Sequence, residues 1–142
     1  MLTAVAFAPA KSPPMSRPLG SLLLIDENSD DLYTYTRMLR REGYEIRACA
    51  SCPEGARSLE TGRFDVVIIS QGGPGFEWRS LLEQAIRVDS LRPVLVITDC
   101  VDMKCYVDAM WLGATDYLEK PRSSEELLKT IGRLLSFLGN CA

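Results

Sequence analysis

The sequence predicts an α/β fold, a doubly wound five-stranded parallel sheet with helices on both faces. Three observations predict it. Short, unbroken apolar runs recur along the chain, LLLI at Leu22–Ile25, VVII at Val66–Ile69 and VLVI at Val94–Ile97. Such β-branched runs suit strands covered on both faces. Segments with helical spacing separate them, so that strand and helix alternate five times, which calls for parallel strands joined by right-handed crossovers.

In chain order, Leu22–Ile25 is the first strand. Ser29 can cap a helix carrying Leu32, Tyr35 and Leu39 on one face, with Gly43 past its end. Tyr44–Cys49 is the second strand. Ser51-x-x-Glu54 forms a capping box for a short helix stopping near Gly62. Val66–Ile69 is the third strand, and Trp78, Leu81, Leu82, Ala85 and Ile86 mark the third helix. Val94–Thr98 is the fourth strand. Tyr106, Val107, Met110 and Trp111 mark a fourth helix closed by Gly113, with Met110 and Trp111 read as core. Tyr117–Leu118 is a weaker fifth strand. A second capping box, Ser123-x-x-Glu126, precedes Leu127, Ile131, Leu134, Leu135 and Leu138.

With 142 residues the chain suits one domain with a real core. The folded part is expected over 19–142, and 1–18 reads as a flexible tail. Its apolar stretch Met1–Ala10 lacks a basic lead-in, with Lys11 and Arg17 on the wrong side for a signal peptide, and Met15 offers an alternative start. Ser12–Pro18 is proline-rich. A net charge of −3 without a basic cluster argues against nucleic-acid and membrane-surface partners. No apolar run approaches the roughly 20 residues of a spanning helix. Five cysteines without a convincing export signal read as cytoplasmic free thiols.

In a parallel α/β sheet, ligands gather beyond the carboxyl ends of the strands. The first strand ends in Asp26-Glu27-Asn28, the third in Ser70 followed by Gln71-Gly72-Gly73-Pro74-Gly75, and the fourth in Thr98-Asp99. The fifth leads into Lys120-Pro121. Adjacent carboxylates repel unless a cation offsets them. Asp26 and Glu27 would suit a hard divalent ion such as Mg²⁺, with Lys120 as the alternative counter-charge. They would repel a nucleotide phosphate, which favours a glycine-rich turn at that place.

LLLIDEN at Leu22–Asn28, FDVVIIS at Phe64–Ser70 with Pro74-Gly75 beyond it, PVLVIT at Pro93–Thr98 and GATDYLEKP at Gly113–Pro121 together resemble the receiver domain of two-component response regulators. The resemblance covers roughly 21–138. It implies the flavodoxin-like, CheY-like sheet order 2-1-3-4-5. It also implies an acidic pair binding Mg²⁺, a third-strand aspartate that accepts a phosphoryl group from a histidine kinase, a hydroxyl and a lysine contacting it, and a fifth-strand aromatic that reports the switch. Asp26 and Glu27 match the acidic pair, Thr98 the hydroxyl, Tyr117 the aromatic and Lys120 the lysine. The Gly72 carbonyl falls where the family supplies one to the metal, and Lys120-Pro121 matches the family's cis peptide.

Two positions depart from the family. Ser70 stands at the phosphoacceptor position and cannot form an acyl phosphate. With one carboxylate gone, any Mg²⁺ is expected to bind only weakly. Asp99 follows the threonine where a small residue is usual, and would repel a phosphoryl donor. The expectation is a degenerate, or pseudo-receiver, domain of bacterial phosphorelay signalling that is not an enzyme and works through protein contact. Little chain follows Leu138, so the output is expected from a partner, a histidine kinase or a downstream signalling protein. The implied face is helix four, strand five and helix five, near 103–112, 117–118 and 125–135. Two alternatives stay open: a phosphoryl group on a neighbouring carboxylate (Asp26, Glu27 or Asp99), and a thiol sensor using Cys49 and Cys52. The implied strand order puts Cys49 and Cys100 on the order of 14 Å apart, too far for a shared zinc.

Overall fold

The computed structural model describes residues 18–141, with side chains described to residue 136. The tail reading for 1–17 and the Leu138 side chain lie outside the described residues. The elements are β1 (Ser21–Ile25), α1 (Ser29–Arg41), β2 (Glu45–Cys49), α2 (Cys52–Thr61), β3 (Val66–Ser70), α3 (Arg79–Val88), β4 (Val94–Thr98), α4 (Met103–Leu112), β5 (Asp116–Glu119) and α5 (Ser124–Cys141). The strands form one sheet in the order β2-β1-β3-β4-β5, every neighbouring pair parallel.

Successive residues of a strand point to opposite faces, and the two halves of the core follow that alternation. Leu23, Ile25, Val67, Ile69, Val94 and Val96 meet Leu59 of α2, Leu81, Leu82 and Ala85 of α3, and Cys105 and Ala109 of α4. Leu22, Leu24, Val66, Ile68, Leu95 and Ile97 meet Tyr35 and Leu39 of α1 and Leu127, Ile131 and Leu134 of α5. All residues of β3 and β4 are buried, which is why their sequences are unbroken apolar runs.

The capping signals work with small adjustments. Asn28, not Ser29, caps α1, its Oδ1 accepting the Asp31 N–H at 3.0 Å. The Asn28 N–H itself is drawn to Asp26 Oδ1 at 3.0 Å, which settles the turn one residue early. Ser51 and Ser123 cap α2 and α5 by accepting the N–H groups of Glu54 and Glu126, at 3.4 and 3.1 Å. Gly113 ends α4 in the left-handed region, at φ 111°. β2 begins one residue after Tyr44, β5 extends one residue beyond each end of the expected pair, and Trp78 precedes α3.

Two expectations fail. Trp111 is 88% exposed and forms no part of the core. Cys105 and Ala109 take the inward side of α4, and Trp111 lies about 200° round the helix from Ala109. Met110 does pack against the core. The Lys120–Pro121 bond is trans, as is every peptide bond among the described residues. Trans is the isomer an X–Pro bond still favours by about 0.5–1 kcal/mol.

Candidate functional site

The parallel arrangement brings the carboxyl ends of β1, β3, β4 and β5 to one edge of the sheet, and all six expected pocket residues lie there. Asp26 follows β1 and is wholly buried, Ser70 closes β3, Thr98 closes β4, and Lys120 follows β5. Glu27 and Asp99 are exposed at the rim. A cavity of about 430 Å³ opens between the loops, lined by Glu27, Ser70, Thr98, Asp99 and the segments following β3 and β4.

At the floor of this edge is an ion-pair cluster. Lys120 Nζ lies 2.9 Å from Asp26 Oδ2, 2.8 Å from Asp31 Oδ2 and 3.8 Å from Asp99 Oδ2. Asp31 comes from the first turn of α1. Burial works to lower the Lys120 pKa, but the hydrogen bonds and charges of Asp31 and Asp26 outweigh it and hold the ammonium protonated. Burial pushes the Asp26 carboxyl up to about 6, against the lowering pull of the Asn28 N–H and of Lys120. The lysine therefore points at the acidic floor. Ser70 is served by its own loop instead, its Oγ accepting the Gly72 N–H at 3.2 Å.

The hydroxyl of Thr98 is likewise turned to its own loop, donating to the Cys100 carbonyl at 3.0 Å and accepting the Cys100 N–H at 3.2 Å. Tyr117 is buried, and its ring stands edge-on to Tyr106 with centroids 5.8 Å apart. Its hydroxyl donates to Gln71 Oε1 and accepts the Asp102 N–H at 3.2 Å. Gly72 has φ 85°, and a Cβ there would meet the Trp78 ring at 2.7 Å, so glycine serves both the backbone and the close approach.

These side chains make a poor site for a divalent cation. One oxygen of Asp26 already faces the Lys120 ammonium, Ser70 offers a neutral hydroxyl, and no three His, Cys, Asp or Glu side chains among the described residues are placed to share an ion. The thiol alternative meets a different obstacle. Cys49 is buried with its Sγ 3.4 Å from Ser58 Oγ, and burial pushes the Cys49 and Cys52 thiols up, away from the reactive thiolate.

Sequence reasoning missed Asp31 and Gln71. Asp31 reads as a helix-favouring acid in a first turn, and only the folded sheet, which brings the carboxyl end of β5 to the same edge as the start of α1, reveals its partner. Gln71 is a neutral residue in a glycine-rich loop, and its position immediately after the third strand's terminal serine was the one available signal.

A doubly wound sheet with an acidic first-strand end, a fourth-strand hydroxyl, a fifth-strand aromatic and a lysine converging on one edge defines a receiver-type module. The model of the response regulator receiver domain matches residues 22–132, and the chain belongs to that family. It is 29% identical over 124 residues to Protein PilH of Pseudomonas aeruginosa, covering 83% of this chain and 99% of that protein. It is 33% identical over 108 residues to the phosphoglycerate transport system transcriptional regulatory protein PgtA of Salmonella typhimurium, covering 76% of this chain but only 26% of that protein. The chain thus spans about a quarter of one relative and almost the whole of the other. A CheY-like receiver domain from Methanospirillum hungatei superposes with a TM-score of 0.81 at 24% identity, covering 89% of this chain and all of that one. No helix among the described residues is long and apolar enough to cross a membrane.

Proposed function

We propose that this receiver domain is a pseudo-receiver, a cytoplasmic, non-enzymatic docking module whose output does not depend on phosphoryl transfer to the end of β3. One observation carries the reading. The residue closing β3 is Ser70, whose hydroxyl is engaged by Gly72, while Lys120 is held by Asp26 and Asp31. A serine hydroxyl cannot make the mixed anhydride that an aspartate makes. The rim carboxylates of Glu27, Asp99 and Asp102 also oppose the approach of an anionic donor.

The recognition surface is the face of α4, β5 and α5, where the partner is a signalling protein such as a kinase and neither nucleic acid nor a membrane. What supports it is the composition of α4. Met103, Val107 and Trp111 recur every four residues along its outer side and are all exposed, with Tyr106 beside them. Exposed apolar residues in a contiguous stripe mark interaction surfaces, and aromatic and methionine side chains are enriched at such interfaces.

The test is intact mass after incubation with Mg²⁺ and acetyl phosphate, beside a receiver that carries the usual aspartate. An unmodified chain beside a labelled control is the expected result. An added phosphoryl group would refute phosphorylation independence and direct attention to Asp26, Glu27 or Asp99.

A further inference from the structure

We propose that Gln71 is a positioning residue that fixes Tyr117 inward and, through it, the first turn of α4. The inference rests on the phosphorylation-independent reading above and deepens it, because it states what sets the docking face in that reading.

A continuous hydrogen-bonded path crosses the site. Gln71 is 3% exposed, and its Nε2 donates to the Gly73 carbonyl at 2.6 Å. That contact decides which way the amide faces, leaving Oε1 for the Tyr117 hydroxyl. The hydroxyl oxygen accepts the Asp102 N–H, and Asp102 is the residue that caps α4, its Oδ2 accepting the Cys105 N–H at 3.2 Å. The Cys105 thiol returns to the Pro74 carbonyl at 3.6 Å, tying α4 back to the loop that begins at Gln71.

Gln71 and Tyr117, the central link, are both buried, while Asp102 lies at the exposed end of the path. If Tyr117 swung outward, Gln71 Oε1 would lose its partner in a buried place and the Asp102 N–H would lose its acceptor. Buried polar groups left without partners are disfavoured more than the same groups are in water. The backbone of Gln71 is itself anchored, its N–H donating to the Ile97 carbonyl at 2.8 Å and its carbonyl accepting the Trp78 N–H at 3.2 Å. The side chain therefore reaches Tyr117 from a rigid base. From Gln71 to the Asp102 N–H every link is a hydrogen bond between neutral groups.

The experiment is residue-resolved amide hydrogen exchange on the full chain, comparing wild type, Gln71→Met, Tyr117→Phe and the double variant. Gln71→Met keeps length and apolar volume but accepts no comparable hydrogen bond. The expected result is about tenfold faster exchange at Asp102 in each single variant, the scale of one lost hydrogen bond, with amides of β3 and β4 unchanged. The double variant should be no faster than Tyr117→Phe alone, since both break the same path. Asp102 exchange as slow in folded Gln71→Met as in wild type overturns the proposal, and so do effects that multiply. If Gln71→Met fails to fold, wild-type exchange at Asp102 in Tyr117→Phe overturns it equally. A chain that acquires phosphate from acetyl phosphate, yet shows the expected Asp102 pattern before labelling, supports the Gln71 path while refuting phosphorylation independence.

Discussion

Removing the Lys120 ammonium while keeping its bulk, with Lys120→Met, tests the floor of the site most directly. Asp26 is 0% exposed and Lys120 is its nearest counter-charge, at 2.9 Å. Taking one partner from a buried pair leaves an uncompensated charge and is expected to cost about 3–5 kcal/mol near pH 7.5. The sign of the pH dependence follows from Asp26. Burial already holds its carboxyl up at about 6, above the ordinary 3.8, and losing Lys120 removes two of the influences that lower it. A carboxyl whose folded pKa is raised contributes stability that is complete below its unfolded pKa and is lost as pH rises through the folded one. In the variant that loss is deeper, because the folded pKa stands higher still. The gap between wild type and Lys120→Met should therefore shrink at pH 5, where Asp26 takes a proton, and widen above pH 7. Adding Asp26→Asn to Lys120→Met should recover much of the loss. Urea unfolding followed by tryptophan fluorescence at pH 5 and 7.5 measures all of these. A gap below about 1 kcal/mol that is equal at both pH values would mean the pair is not buried as described.

Trp111→Ala should change stability by less than about 0.5 kcal/mol, because the side chain is 88% exposed. A loss above about 1.5 kcal/mol in urea would return Trp111 to the core. At Gly55 in α2 an added Cβ would sit 2.7 Å from Ile25 Cδ1 and 2.9 Å from Ile25 Cγ2. Gly55→Ala should thus cost about 1–3 kcal/mol by overcrowding, despite alanine's better helix propensity. A stabilised variant would refute that. Ser70→Asp should restore a third carboxylate to the site and tighten Mg²⁺ binding by about tenfold or more, read from Trp78, whose ring packs beside Gly72. Identical Mg²⁺ titrations of variant and wild type would sink the argument from carboxylate number.

What could be read ahead of the structure depended on how local its cause was. β3 and β4 were legible because burial on both faces leaves no polar interruption. β5 was faint because only Tyr117 among its four residues is fully buried. Gly43 and Gly113 announced helix ends because both take positive φ, 109° and 111°. Adjacent Asn28 and Ser29 are equally good caps by type, and the choice between them lay with the Asp26 carboxylate. Trp111 was misplaced because helical spacing identifies an apolar arc without saying which part of it turns inward. For the site, the motifs located Asp26, Thr98, Tyr117 and Lys120, but not what each side chain would touch. Asp31 lies 89 residues from Lys120, a separation that no spacing rule bridges.

That separation also bears on how the chain folds. The first strand carries a carboxylate that the sheet buries, and the matching ammonium arrives only with the last strand. Until β5 docks on β4, Asp26 would have to stay hydrated or protonated, which leaves the carboxyl end of β1 open to water. Closing so long a loop comes late and slowly in folding. Lys120 is therefore expected to act after the transition state, so that its loss chiefly speeds unfolding and leaves the folding rate almost unchanged. The residue that sets the charge of the site would then also set how long the native state lasts once formed.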